Sequence, residues 1–227
     1  MLEKPTDFPR QRPDGGELRP LPEVLLHRRA TRSFKPDPVP EPYLRAILTL
    51  GTQAPSGYNL QPWRFIVVRE AENRKRLMKA AFSQPKIGEA PVVIIALGMK
   101  NEWRALAEEV FKEGAARRAG SRDWEAYLKQ ATGFLDTQAM NAWVTKHTMI
   151  AFTTMMYVAE AYGLDTAPME GFDAAAVKRE FAVPEEAEVV ALLAIGYAKG
   201  EDKPYGGRFE LDRVVFEEKY GQRWGAS

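Results

Sequence analysis

A chain of 227 residues with 45% hydrophobic side chains can build a sizeable core, and its 32 basic residues almost cancel its 31 acidic ones. No global field then draws in nucleic acid or an anionic membrane, so any anion site has to be local. The absence of cysteine excludes disulfides, thiolate catalysis and every Cys-based zinc site, and agrees with a cytoplasmic protein.

Residues 1–20 are polar and Pro-rich and lack the apolar centre of a signal peptide, so they read as an N-terminal arm. Residues 21–227 read as one domain. Leu21, Val24, Leu25 and Leu26 predict a short helix, and the basic run Arg28-Arg29-Ala30-Thr31-Arg32 leaves its C-terminal end. Basic residues there complement the helix dipole, but three arginines within five residues exceed that need. The planar guanidinium fork donates two parallel charge-assisted hydrogen bonds, which suits phosphate.

Pro40-Glu41-Pro42 followed by Leu44, Ile47, Leu48 and Leu50 predicts a helix that ends near Gly51. It delivers the chain to Gly51–Pro62, a loop dense in Pro, Gly, Ser and Asn that runs straight into an apolar strand beginning near Arg64. Pro55 and Pro62 stiffen this loop, and Gly57 lets the main chain approach something flat and bulky. The plain alternative is a tight connection in which Ser56 and Asn59 satisfy turn amides.

Further on, 70–82 predicts an amphipathic helix with Leu77, Met78 and Ala81 inward, and Ser83–Lys86 a turn. The continuous apolar run Ala90–Gly98 suits a strand buried on both faces. Residues 101–137 carry two weaker helical patterns broken at Gly120-Ser121, with Trp103, Phe111, Trp124, Tyr127 and Phe134 along them, and form a candidate lid. Residues 138–162 predict the longest helix, apolar on most faces and closed by Gly163, so it belongs in a core or a subunit interface. Its uncharged stretch is far below the roughly 20 residues of a membrane span. His147 on it reads as a satisfied core or interface histidine, and no metal-ligand spacing involves it or His27. Pro168–Gly171 reads as a turn, 174–181 as a short helix capped by Asp173, 188–197 as a strand, and Leu211–Phe216 as a strand-like tail segment.

Four of these segments, in this order, carry a resemblance: Arg28–Phe34, Ala54–Trp63, Pro168–Asp173, and Gly196-Tyr197 through Gly207-Arg208. Together they resemble the FMN-dependent nitroreductase family over about Leu21 to Val215. The resemblance implies an α+β fold, a three-layer α/β/α sandwich around a mixed, mostly antiparallel sheet. It also implies a homodimer with FMN at the interface and a C-terminal segment reaching to the partner subunit. NADH or NADPH would supply electrons to nitroaromatic, quinone or related small acceptors in ping-pong fashion. By the same resemblance Arg28, Arg29 and Arg32 hold the flavin's phosphate and pyrimidine edge and Arg208 adds to the phosphate site. At Ala30, where the family often has serine, only the main chain can serve. Pro55, Ser56 and Asn59 would come from the neighbouring subunit, Gln84 is a further flavin contact, and Met169, Glu170 and Gly171 would lie along one face of the ring. The flavin N5 is the redox centre, no catalytic side chain is assigned, and no metal is expected. Relatives that dehalogenate aromatic amino acids or fragment the flavin would differ in the lid, 101–137, whereas a protein that binds FMN without turnover would stay yellow when NADH or NADPH is added anaerobically.

Overall fold

The computed structural model describes residues 5–117, 123–201 and 204–225. In chain order the elements are α1 (Leu21–His27), α2 (Glu41–Gly51), a 3-10 turn (Gly57–Asn59), β1 (Trp63–Val68), α3 (Ala71–Ala80), α4 (Pro85–Glu89), β2 (Val92–Met99), α5 (Glu102–Arg117), α6 (Trp124–Asp136), α7 (Met140–Ala161), β3 (Asp165–Met169), α8 (Ala174–Glu180), β4 (Ala187–Gly196) and α9 (Leu211–Val214). The strands form a sheet in the order β1-β2-β4-β3 whose three ladders are antiparallel, and a parallel bridge joins Ala30 to Thr166 beside β3.

The layers follow from the period of a strand. In β2, where every residue is buried, Val93, Ile95 and Leu97 face a core shared with Leu77 of α3, Ile87 of α4 and Val177 of α8. Val92, Ile94 and Ala96 face the other way, against Leu44 and Ile47 of α2 and Phe152 and Met155 of α7. Alternation in a strand covered on both sides thus builds helices, sheet and helices again, an α+β sandwich of three layers. The 22-residue α7 runs through the second core. It ends where Gly163, at φ 78°, donates its N–H to the Glu160 carbonyl at 2.9 Å. Beyond that end the N-terminal arm docks: Arg19 N–H donates to the Ala161 carbonyl at 2.9 Å and the Tyr162 hydroxyl to the Pro9 carbonyl at 3.0 Å. One of the carbonyls that a helix terminus leaves orphaned is satisfied in this way.

Three expectations need correction. Pro168 and Met169 are not a turn but the end of β3, paired with Leu193 and Leu192. A proline is tolerated there because β3 is an edge strand, where one row of N–H groups has no ladder to join. After Gln84 the chain forms the short helix α4, with Pro85 in its first turn. The tail segment Leu211–Phe216 is no strand; it makes the one-turn helix α9, followed by a bridge from Phe216 to Arg223. Val214 and Val215 have strand propensity, but among the described residues the pairing there is limited to that bridge and a bond from Trp224 N–H to the Val215 carbonyl at 3.2 Å. The expected break at Gly120-Ser121 lies outside the described residues.

Candidate functional site

The arginine-rich segment leaves α1 and runs alongside the head of β3, where Thr31 N–H donates to the Thr166 carbonyl at 2.9 Å. Arg28 is half-buried, and its Nη1 is buried with no hydrogen-bond partner among the described residues. Arg29 turns back on α1, its Nη1 donating to the carbonyls of Leu26 at 2.8 Å and Arg28 at 2.9 Å. Ala30 and Arg32 are exposed. The chain that follows β4 pairs with this segment, since Lys35 N–H reaches the Tyr197 carbonyl at 2.8 Å and Lys199 N–H the Ser33 carbonyl at 2.9 Å. It then carries Arg208 back: the Tyr205 ring lies 4.9 Å from the Arg29 guanidinium carbon and 5.7 Å from that of Arg208.

From this cluster the other predicted contacts are reached along two short rigid paths. Glu89 at the end of α4 accepts from the Ser33 hydroxyl at 2.7 Å and from Phe34 N–H at 3.1 Å, and Gln84 stands at the opposite end of that helix. Gln84 Nε2 donates to the Gly171 carbonyl at 2.8 Å, and Gly171 follows the strand whose head carries Thr166. At the usual strand rise Thr166 and Met169 are roughly 10 Å apart. Arg28, Arg29, Ala30, Arg32, Arg208, Gln84, Met169, Glu170 and Gly171 therefore belong to one circuit. The Met169 side chain is buried in the core, which leaves its main chain for a ligand, whereas Glu170 and Gly171 are exposed. A Cβ built on Gly171 would come no closer than 3.4 Å to Gln84 Nε2, so glycine there is not demanded by the protein's own packing. Phe82 and Ser83, just before Gln84, both take left-handed backbone at φ 53° and 57° as the chain closes α3, where Ser83 N–H donates to the Met78 carbonyl at 2.9 Å.

The second cluster is the loop before β1. Tyr58, Asn59 and Gln61 are all left-handed, at φ 55°, 58° and 47°. Ser56 braces the loop, its Oγ accepting from Gln61 N–H at 2.9 Å, so the turn-amide role holds for Ser56. Gly57 does let the main chain approach flat groups, but they belong to this chain: an added Cβ would meet His147 Nε2 at 3.2 Å and Trp143 at 3.3 Å. His147 packs edge-on against Trp143 at 4.6 Å, and burial with the neighbouring Lys146 charge pushes its pKa down. Its Nδ1 has no partner among the described residues, so it is not the satisfied histidine expected from its setting. Helices α5 and α6 cover the loop. Tyr58 lies 6.1 Å from Phe111, 6.2 Å from Tyr127 and 6.3 Å from Phe134, and Arg64 ties β1 to Glu102 at 2.5 Å.

Within one chain the two clusters do not meet. The loop packs on α7 at Trp143 and His147, whereas the arginine circuit sits beside Glu160 at the other end, roughly 20 Å away at 1.5 Å per residue. They also flank opposite edges of the sheet, β1 and β3. A cleft of about 190 Å³ beside the loop, lined by Leu60, Gln61, Arg64, Leu106, Glu109 and Val110, contains none of the arginine circuit. A groove of about 690 Å³ between the arm and Tyr43 of α2 contains no candidate residue at all.

The sequence pattern of the nitroreductase family matches residues 25–197. The chain belongs to that family. It is 37% identical over 192 residues to an NADH dehydrogenase of Thermus thermophilus, covering 85% of this chain and 93% of that one. The ydfN structure of Bacillus subtilis superimposes with a TM-score of 0.81 at 26% identity, covering 86% and 97% of the two chains. A structure from Exiguobacterium sibiricum, solved in complex with FMN, gives a TM-score of 0.77 at 23% identity and covers 88% and 98%. This nitroreductase-family chain is accordingly an oxidoreductase with the family's fold.

Two residues beside these candidates are not singled out in the sequence. Tyr205 is invisible because the sequence does not show that distant Arg29 reaches its ring. Glu160 leaves a signal, a lone carboxylate in the last turn of an apolar helix where the dipole disfavours it. In the structure it is 4% exposed, accepts from the Thr166 hydroxyl at 2.8 Å and faces Arg19 at 3.9 Å.

Proposed function

We propose that the protein is a homodimeric FMN-dependent oxidoreductase that draws reducing equivalents from NADH or NADPH and passes them to nitroaromatic, quinone-like or related small acceptors. The observation that carries this reading is Arg28, whose buried Nη1 lacks a partner among the described residues in the segment that also carries Arg29 and Arg32. Leaving a buried donor unpaired costs about 1–3 kcal/mol, and more for a charged group, so the site is built for a ligand that repays it. A phosphate oxygen fits that donor set, which makes the cluster a suitable seat for a flavin mononucleotide.

In this reading Arg28, Arg29, Arg32 and Arg208 hold the phosphate and the pyrimidine edge, with Ala30 contributing its main chain. Gln84, Met169, Glu170 and Gly171 lie along the ring. A main-chain N–H near Gly171 suits the reactive edge, because it cannot rotate away and remains a donor at every pH. Pro55, Ser56 and Asn59 of the partner subunit complete the site. The separation of the two clusters along α7 supports that assignment, and the exposed tail residues Phe209, Leu211, Val214 and Trp224 offer the apolar surface with which the C-terminal segment would reach across. Bound FMN supplies the hydride and electron chemistry, and the protein supplies position and exclusion of water. Helices α5 and α6, seated on the loop through Tyr58, act as the lid. A cytoplasmic setting fits the cysteine-free chain, and no helix among the described residues is long and apolar enough to cross a membrane.

One cavity used in turn by donor and acceptor gives parallel double-reciprocal lines in steady-state kinetics with NADH or NADPH and a quinone or nitroaromatic. Intersecting lines would remove the shared cavity, and no acceptor-dependent oxidation of either nicotinamide would remove the function.

A further inference from the structure

Arg29 and Arg208 come from opposite ends of the chain and converge on one aromatic ring. Tyr205 has its ring centroid 4.9 Å from the first guanidinium carbon and 5.7 Å from the second, both within cation–π range. Two guanidinium groups brought together repel each other, and a ring that offers them its electron-rich face offsets that repulsion before any anion arrives. Among the described residues the hydrogen bonds of each arginine run through a single nitrogen. Arg29 Nη1 is held by the carbonyls of Leu26 and Arg28, and Arg208 Nη1 by that of Gly207 at 2.7 Å, which leaves the rest of each fork for a ligand. Gly207, at φ 77°, gives the chain the turn that folds Arg208 back toward Tyr205. Tyr205 itself is 58% exposed, too open to be a core residue.

We propose that Tyr205 is a positioning residue of the anion seat, holding Arg29 and Arg208 side by side so that both address one phosphate group. The proposal rests on the reading of the arginine cluster as the flavin phosphate site, and its test separates the two. Flavin-stripped full-length protein and its Y205F and Y205L variants are titrated with FMN and with riboflavin, which lacks the phosphate. Y205L is expected to weaken FMN binding about 5- to 30-fold, the combined worth of two exposed cation–π contacts, and to leave riboflavin binding unchanged. Y205F keeps the ring face and is expected to bind FMN like the parent. FMN binding by Y205L at parental strength, an equal loss for both flavins, or a loss in Y205F as large as in Y205L would each overturn the proposal. A parent that binds FMN no more tightly than riboflavin would instead refute the phosphate seat itself.

Discussion

Glu160 shows how one residue can set the pH behaviour of this protein. Burial pushes its carboxyl up to about 7, the Thr166 hydroxyl bond pulls the other way, Asp165 adds to the rise, and the Arg28 and Arg19 charges oppose it. Its folded pKa thus lies above that of the unfolded chain, and the folded protein binds the extra proton. The resulting stability is fully present below about pH 4.5 and is lost as the pH rises through about 7. Between pH 5.5 and 8 the parent should lose on the order of 2 kcal/mol that a Glu160→Gln variant does not, because glutamine keeps an acceptor for Thr166 and carries no proton to lose. Denaturant melts of both proteins at the two pH values check this, and parallel pH profiles would contradict it. At this scale the sequence is legible where chemistry is concentrated locally. Arg28, Arg29 and Arg32 stand out because three guanidinium groups exceed what a helix end needs. Tyr205 and His147 do not stand out, because the sequence does not show that Arg29 meets the one or Gly57 the other.

Among elements, the crossing of α2 and α7 depends on Gly51, where a Cβ would fall well inside contact distance of Met155 Cγ. Gly51→Ala should therefore destabilise the protein by about 1–3 kcal/mol, whereas Gly171→Ala, with only an ordinary contact to Gln84, should cost less than 1 kcal/mol. Thermal unfolding of the two variants measures the contrast, and equal effects would show that α7 yields at Met155. The elements read correctly from the sequence are those with strong periodicity: the apolar β2, the amphipathic α2, the long α7 with Gly163 behind it, and α8 with Asp173 accepting from Ala175 and Ala176. Those misread are short and decided by tertiary context. Pro168 suggests a turn until β3 is known to lie at a sheet edge, α4 is a short helix that begins with a proline, and the valines before Phe216 join no extended ladder among the described residues.

For the whole molecule, the proposed site is divided between the two ends of α7 and would need two copies to complete it, a division that the family resemblance implies and that residue spacing alone does not reveal. Light scattering should return about twice 25.6 kDa. Co-expression offers a stricter test, since Arg28→Ala damages the arginine cluster and Asn59→Ala the partner-facing loop. Each variant alone should lose flavin, while the mixed dimer keeps one undamaged site and recovers up to about half of the parental binding; no recovery would place both clusters in a site within a single chain. The central claim, a flavin that is reduced by a nicotinamide in this site, is tested most directly by the visible absorption spectrum of the FMN-loaded protein before and after anaerobic addition of NADH or NADPH. The account predicts flavin bands that bleach with at least one nicotinamide and return when a quinone is added. A protein that retains no FMN, or FMN that neither nicotinamide bleaches, would contradict it.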